Sequence, residues 1–397
     1  MAKLSERLNR LSPSATLVMS QKSSEMRANG IDVINLSVGE PDFNTPDAIK
    51  QCAHQAIDNN YSKYSPVPGY ADLRKAISHK LKQENGLDYS IQEIQVSNGA
   101  KQCVCNAIMA LVDDGDEVII PAPYWVSYPQ MAKLAGGIPV IIPTGFEQNF
   151  KLTPAQLEQA ITPKTRMLIL CSPSNPTGSV YTRAELEQIA EVVKRHDDLF
   201  VISDEIYEHI NYTGHHESIA QFEGMRERTI LINGVSKAYA MTGWRIGFMA
   251  APEWIVKGCN KLQGQYTSGA CSVSQKAAEA AYTLPQDCVE EMRQAFERRR
   301  DLIVKLTREV PGLEVNIPDG AFYVFPKCSA YFGKSHDGKT INTGGDLALY
   351  LLEDAHVATV GGDAFGDPDC FRMSYATSEE NIIEALSRIR RSLEKLK

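Results

Sequence analysis

Short apolar runs alternate with amphipathic stretches through the middle of the chain. EVIIPAP, IPVIIP, RMLILCS, DLFVISDE, RTILING and IGFMAAP each read as a strand that is apolar on both faces. Between the third and fourth runs, Arg183 to His196 places Leu186, Ile189, Ala190 and Val193 on one helical face. Thr182 stands three residues before Glu185, the spacing of a capping box that opens this helix. Strands buried on both faces and separated by such helices predict an α/β fold, its large domain a mostly parallel, mixed sheet flanked by helices.

The pattern changes towards both ends. The first 45 residues look irregular and finish in the turn-rich NLSVGEPDFNTP. Near residue 286 a long charged helix, CVEEMRQAFERRRDLIVKLTREV, leads to short strands LEVNIP and AFYVFP. A helix GDLALYLLEDA, the strand FRMSYA and a closing amphipathic helix follow. These predict a smaller α+β domain. The expected division is an N-terminal arm that joins the small domain (1–45), a large ligand-binding domain (46–285) and the small C-terminal domain (286–397).

Composition narrows the function. With 397 residues, 43% of them hydrophobic and 23% charged, the chain has the make-up of a soluble globular protein of two or three domains. A net charge of -8 argues against nucleic-acid binding as the main task. Nine cysteines, an odd and scattered set whose closest pair is Cys103 and Cys105, point to free thiols in a reducing compartment. The N-terminus lacks the apolar core of a signal peptide, and no apolar run reaches membrane-span length. A cytoplasmic protein is expected, with no membrane partner. GKSHDGKT at 333–340 matches the phosphate-loop pattern of nucleotide-binding proteins, but INTGGD delays any following helix and CSAYF separates it from the preceding strand. It is expected to be a solvated loop. His209 and His215-His216 lack metal-ligand spacing, so no metal is expected.

Ligands of open parallel sheets bind beyond the carboxyl ends of the strands. Three candidate strands end in polar residues there. MLILCS runs into PSNPTG and offers Asn175; LFVIS runs into DEIYEH and offers Asp204 and Tyr207; TILIN runs into GVSK and offers Ser236 and Lys237. Singly, each has an ordinary explanation: a turn-forming Asn before Pro, a helix cap, a solvated loop lysine. Together they offer one small molecule an amide, a carboxylate, a phenol and an amine. Pyridoxal phosphate wants that set. Its aldehyde needs a lysine for a Schiff base, and its ring nitrogen needs a carboxylate to stay protonated. Its phenolic oxygen takes donors such as Asn and Tyr; its phosphate takes backbone N–H groups, a hydroxyl and a cation. SNGAKQ at 97–102, just ahead of the helical CVCNAIMALV, suits that phosphate at a helix N-terminus, with Ser236 and Arg245 completing the cradle.

The motifs SVGEPDFNTP, KYSPVPG, NGAKQ, PAPYWVSYP, SPSNPTG, SDEIYEH, SKAYAMTGWRIG and FRMSYATSEEN follow one another nearly end to end. In this order and spacing the chain resembles the class I aminotransferases of the fold-type I pyridoxal-phosphate superfamily, and most of all the bacterial aspartate aminotransferases. The resemblance implies that Lys237 carries the Schiff base and shuttles the proton, and that Asp204 pairs with the ring nitrogen. It implies that Asn175 and Tyr207 bond the phenolic oxygen and that Trp125 stacks on the ring. The backbone of Ala100 and Lys101, with Ser236 and Arg245, would hold the phosphate. Tyr64 would reach the phosphate of the neighbouring subunit's cofactor, which implies a homodimer with shared sites. Arg372 would clamp the substrate α-carboxylate as a two-pronged fork, in a pocket lined by Gly39, Asn175 and Trp125.

A dicarboxylic substrate needs a second cation. In the subgroup resembled here a lysine after the Gly-(Gly/Ala) of the phosphate loop serves, and Lys101 matches it; the hydroxyls of Ser14 and Thr16 are candidate helpers. The chain departs from the usual Gly-Gly by having Gly99-Ala100. The expected reaction pairs aspartate with 2-oxoglutarate. Prephenate, alanine or aromatic transamination stays open, as does a same-fold C–S lyase that needs no distal cation.

Overall fold

The structure, a computed structural model, describes residues 4–397; residues 1–3 of the N-terminal arm lie outside it. Its centre is a seven-stranded sheet: β1 (Ile94–Ser97), β2 (Glu117–Ala122), β3 (Ile138–Pro143), β4 (Thr165–Cys171), β5 (Phe200–Asp204), β6 (Thr229–Gly234) and β7 (Gly247–Ala250). The spatial order is β1-β7-β6-β5-β4-β2-β3. From β6 to β3 neighbours run parallel, whereas β7 runs antiparallel to both β6 and β1.

The apolar runs work as their pattern predicts, except IPVIIP, which forms the edge strand β3 and leaves Ile138 and Ile141 exposed rather than buried on both faces. Val118, Ile120, Met167, Ile169 and Ile202 pack into one cluster with the helices α2 (Ala100–Leu111) and α3 (Tyr128–Ala135). The residues between them, Ile119, Leu168, Leu170 and Val201, join a second cluster with α4 (Arg183–Val193). Alternate side chains thus fill opposite faces, each fully buried one contributing roughly 1.5–3 kcal/mol. The capping box on α4 is present: Glu185 N–H donates to Thr182 Oγ1 at 3.3 Å, and Thr182 N–H donates to the Glu185 carboxylate at 2.7 Å.

The C-terminal part builds its own core. Here α5 (Asp287–Arg308) and α6 (Glu379–Leu393) pack on a three-stranded antiparallel sheet of β8 (Tyr323–Val324), β9 (Val360–Gly361) and β10 (Phe371–Ser374). Phe296, Phe322, Phe371, Ile382 and Ile389 form that core, which also takes in Ile206 and Tyr207 from the turn after β5. Ile34 and Leu36 join it too, and Ile34–Asn35 pairs in parallel with Val357–Ala358. These shared side chains bring β10 over the carboxyl end of β5.

Several expectations are corrected. The N-terminal 45 residues are not irregular, because α1 spans Ala15–Ala28. Only Met19 and Ser23 are buried along it, so it has no apolar stripe to betray it. LEVNIP forms no strand and keeps only the isolated bridge Glu314–Lys327. GDLALYLLEDA is an α-helix only to Tyr350 and continues as a wider π turn, Leu351–Ala355. The phosphate-loop look-alike is a small hairpin, Ser335–His336 against Lys339–Thr340, turning at Asp337 (φ 47) and Gly338 (φ 74). Positive φ at both turn residues suits Asp-Gly. Strand β1 gave no apolar signal, since its buried Gln95 and Ser97 are satisfied by Asn260 (2.8 Å) and Gln263 (2.5 Å).

At Gly247, where β7 meets the N-terminus of α2, an added Cβ would press on the Ala100 backbone nitrogen, while at Gly243 it meets open space. Gly247→Ala should therefore destabilise by about 1–3 kcal/mol in urea unfolding, and Gly243→Ala should stay within about 0.5 kcal/mol of the parent.

Candidate active site

Strands β4, β5 and β6 end side by side, and each delivers a polar group. Lys237, three residues past β6, is partly buried and donates from Nζ to the Gly39 carbonyl at 2.5 Å. The rings of Tyr207 and Phe322 lie 5.8 and 5.9 Å from the amine. Desolvation is the main reason its pKa falls to about 8; Arg372 and Arg245 push the same way, against Glu40 and Asp204. A lysine so placed is an available nucleophile near neutral pH.

Asp204, the last residue of β5, is 5% exposed. Burial raises its pKa to about 6, and its hydrogen bonds restrain the rise. Tyr128 Oη donates to Oδ2 at 2.6 Å, and the Ile206 N–H donates to Oδ1 at 3.3 Å. A buried carboxylate with this acidity is suited to a cationic partner.

Arg372 on β10 is 2% exposed and reaches back to the same crevice. Nη1 donates to Asn175 Oδ1 at 2.9 Å and Nη2 to the Ser37 carbonyl at 2.6 Å. Its guanidinium lies 4.5 Å from the Tyr323 ring centre and 5.0 Å from that of Phe365, while Nε is buried without a partner. Tyr323 and Tyr207 share a hydroxyl hydrogen bond of 2.8 Å. Gly39 is required by this packing, because a Cβ there would stand 2.6 Å from Tyr323 Oη.

The N-terminus of α2 closes the other side. Gly99 precedes Ala100 at φ +83, and a Cβ on it would collide with the Arg245 guanidinium. Arg245 is itself left-handed (φ 57) and is held by the Thr242 and Asn98 carbonyls at 2.8 and 3.3 Å. A non-glycine residue in that region stores about 1–3 kcal/mol of strain, which marks its placement as specific. A cation lodged over free helix N–H groups is an anion cradle, and the buried Ser236 lies beside it in sequence with Lys237. The donor set fits pyridoxal phosphate: an amine, a carboxylate, an amide with a phenol, and this cradle.

The structure thus brings together Lys237, Asp204, Tyr207, Asn175, Arg372 and Gly39, with Ala100 and Arg245 at the cradle; Ser236 is buried next to Lys237 in the chain. Lys101 and Trp125 pair with each other, the ammonium 4.9 Å from the indole centre. Tyr64 stands apart, 98% exposed on this chain. Ser14, the residue before α1, and Thr16 in its first turn are partly buried, and Ala15 packs against the cluster containing Phe365. Sequence reasoning missed Tyr128 and Tyr323, although both lie in quoted motifs; a tyrosine within an otherwise apolar buried stretch was the available signal. Their spacing had given His209 and His216 no role. His216 instead meets the buried Glu205 at 2.9 Å, and His209 bonds Glu84 at 2.9 Å.

A mixed α/β sheet with a desolvated lysine and a buried carboxylate at adjacent strand ends has the chemistry that pyridoxal phosphate requires. The model of the family "Aminotransferase class I and II" matches residues 31–389, and the chain belongs to that family. Its members depend on pyridoxal phosphate. The chain is 51% identical, over 99% of its length and 83% of the relative's, to a bifunctional aspartate aminotransferase and glutamate/aspartate-prephenate aminotransferase of Petunia hybrida. The aspartate aminotransferase of Rhizobium meliloti superposes with a TM-score of 0.96 at 44% identity, covering 100% of both chains. That of Thermus thermophilus with maleate gives 0.93 at 40%, covering 99% of this chain and 100% of that one.

The raised pKa of Asp204 carries a sign. An acid whose pKa is higher folded than unfolded is disfavoured when ionised, so its penalty is complete above about pH 6 and fades as pH falls towards 3.8. Asp204→Asn should therefore stabilise the cofactor-free protein by roughly 1–3 kcal/mol at pH 8, and the gain should shrink steadily below pH 6 in thermal unfolding.

Proposed function

We propose that the chain is an aspartate aminotransferase that moves an amino group between L-aspartate and 2-oxoglutarate by a ping-pong reaction, giving oxaloacetate and L-glutamate. The observation that carries this is the amine of Lys237, desolvated and, among the described residues, hydrogen-bonded only to a backbone carbonyl, in one crevice with Asp204 and Arg372. When bound, pyridoxal phosphate supplies an aldehyde for amines and a protonated ring that withdraws electrons. Lys237 would hold the aldehyde carbon and, once displaced by the amino donor, take the substrate α-proton. Asp204, ionised near neutral pH, would keep the ring nitrogen protonated, with Tyr128 holding its carboxylate. Asn175 and Tyr207 would bond the phenolic oxygen, and Trp125 would cover a ring face. The Ala100 and Lys101 amides, Ser236 and Arg245 would hold the phosphate.

Arg372 would take the α-carboxylate. Its Asn175 and Ser37 partners hold both Nη atoms in one orientation, and Gly39 leaves the space beside Tyr323. Lys101 would meet the distal carboxylate, with Ser14 and Thr16 as helpers; maleate, the ligand of the Thermus structure, is likewise a dicarboxylate. Residues 46–285 would carry the cofactor, while 1–45 and 286–397 would close over the substrate and exclude water. An aromatic as exposed as Tyr64 supports a homodimer in which it enters the partner's site. The nine free cysteines support a reducing, cytoplasmic setting. Among the described residues no helix is long and apolar enough to cross a membrane.

A second reading, aspartate/prephenate aminotransferase, is favoured by the Petunia relative's dual name. Mixed with aspartate and no acceptor, the holoenzyme should release one equivalent of oxaloacetate per subunit; failure with aspartate but turnover of alanine would overturn the assignment. Adding prephenate to the aminated enzyme separates the two readings. Lys101→Ala should raise the KM for aspartate by about tenfold or more and leave that for alanine unchanged, as removal of one charged contact predicts.

A further inference from the structure

The end of β5 and the turn after it carry two sets of side chains. Asp204 and Tyr207, three residues apart, belong to the crevice. Glu205 and Glu208, also three apart, meet a separate buried network. Glu205, 1% exposed, accepts from Ser203 Oγ (2.8 Å), Ser218 Oγ (2.6 Å) and His216 Nε2 (2.9 Å). Glu208, 6% exposed, pairs directly with the ammonium of Lys80 and accepts from Asn85 Nδ2 at 3.0 Å. Lys80 is itself 3% exposed.

The turn needs such anchors. It is neither helix nor strand, and within it the backbone makes only the Glu208-to-Glu205 and Ile210-to-Tyr207 bonds, at 2.9 and 2.8 Å. Backbone ties hold only its ends, Glu205 N–H to the Ile232 carbonyl at 2.9 Å and Ala321 N–H to the Ile210 carbonyl at 2.7 Å; between them side chains set its orientation, and five donors converge on its two outward carboxylates. Stability alone does not call for ions here, because a buried ion pair is often matched or bettered by apolar residues of similar volume. What ions and directed hydrogen bonds supply is a single geometry. Ligand atoms of Glu205, Glu208 and His216 lie within 4.8 Å of one another, yet the Lys80 ammonium already furnishes positive charge there. Burial pushes the pKa of His216 down, but Glu205 outweighs it and the net shift is upward.

We propose that Lys80, Glu205, Glu208 and His216 are positioning residues, a buried clamp that fixes the turn after β5 and thereby sets Asp204 and Tyr207 against the cofactor. The inference rests on the assignment of Asp204 and Tyr207 to pyridoxal phosphate. Holoenzymes of Lys80→Met with Glu208→Leu, of Ser203→Ala with Ser218→Ala, of His216→Gln and of His216→Leu are compared with the parent. The readouts are thermal midpoint, rate of cofactor loss on dilution, and pH titration of the bound cofactor's visible absorption.

The apolar pair should keep the parental thermal midpoint, lose cofactor about tenfold faster and shift the absorption titration by about half a unit. His216→Leu should also lose cofactor faster and shift the titration, with a lowered thermal midpoint because it leaves the buried Glu205 short of a donor, and His216→Gln, which keeps a donor to Glu205, should restore the parental values. If the apolar pair does not fold, the serine pair decides, since it removes two donors without stranding a charge. Asp204→Ala is the control: unchanged cofactor retention there overturns the assignment of Asp204 itself. Loss in that control beside parental retention and titration in every folded clamp variant overturns the clamp alone.

Discussion

A lysine amine taken out of water and left with a carbonyl oxygen is the constraint on which the site depends. At Lys237 the fold withholds a direct carboxylate partner, and the nearest bond goes to Gly39. The ammonium is thereby disfavoured and the neutral amine becomes accessible near neutral pH. Asp204 is disfavoured in the opposite sense, a carboxylate buried beyond its ordinary acidity. Two such groups on neighbouring strand ends weaken the empty fold. On the proposed reading, the cofactor relieves both, so the same desolvation that destabilises the free chain favours loading.

Holding these groups in place takes both parts of the structure. The parallel strands deliver Asn175, Asp204 and Lys237, but the arginine that meets Asn175 comes from β10 in the C-terminal part. Tyr323, again C-terminal, bonds Tyr207 and lies under Arg372. The crevice is therefore a product of the junction between the two cores. Motion of one part relative to the other would alter the Arg372 end and the Lys237–Gly39 bond while leaving Asp204 and Lys237 on their strand ends. That division suits a site that must keep a cofactor and exchange substrates.

Much of this was legible in the residues. Apolar runs of five or six residues, bounded by turn formers, mark six of the seven strands; in five of them burial on both faces leaves nothing polar to interrupt the run, while edge strand β3 is apolar despite its exposure. The polar groups at their ends stand out for the same reason. What escaped was whatever depends on partners distant in sequence. Strand β1 hides because Gln95 and Ser97 are buried only by virtue of Asn260 and Gln263. Helix α1 hides because it buries almost nothing. Tyr128 and Tyr323 look like core aromatics until the fold sets their hydroxyls against Asp204 and Tyr207. The ionic network behind the turn was equally invisible, since Lys80 lies far along the chain from Glu208.

The central claim is that Lys237 is the residue to which the cofactor is joined. Borohydride reduction of the holoenzyme, followed by peptide mapping, tests it most directly. The account predicts a stable pyridoxyl group on Lys237 within GVSKAYAMTGWR. A label on Lys101 or any other lysine, or none on a cofactor-loaded enzyme, would contradict it.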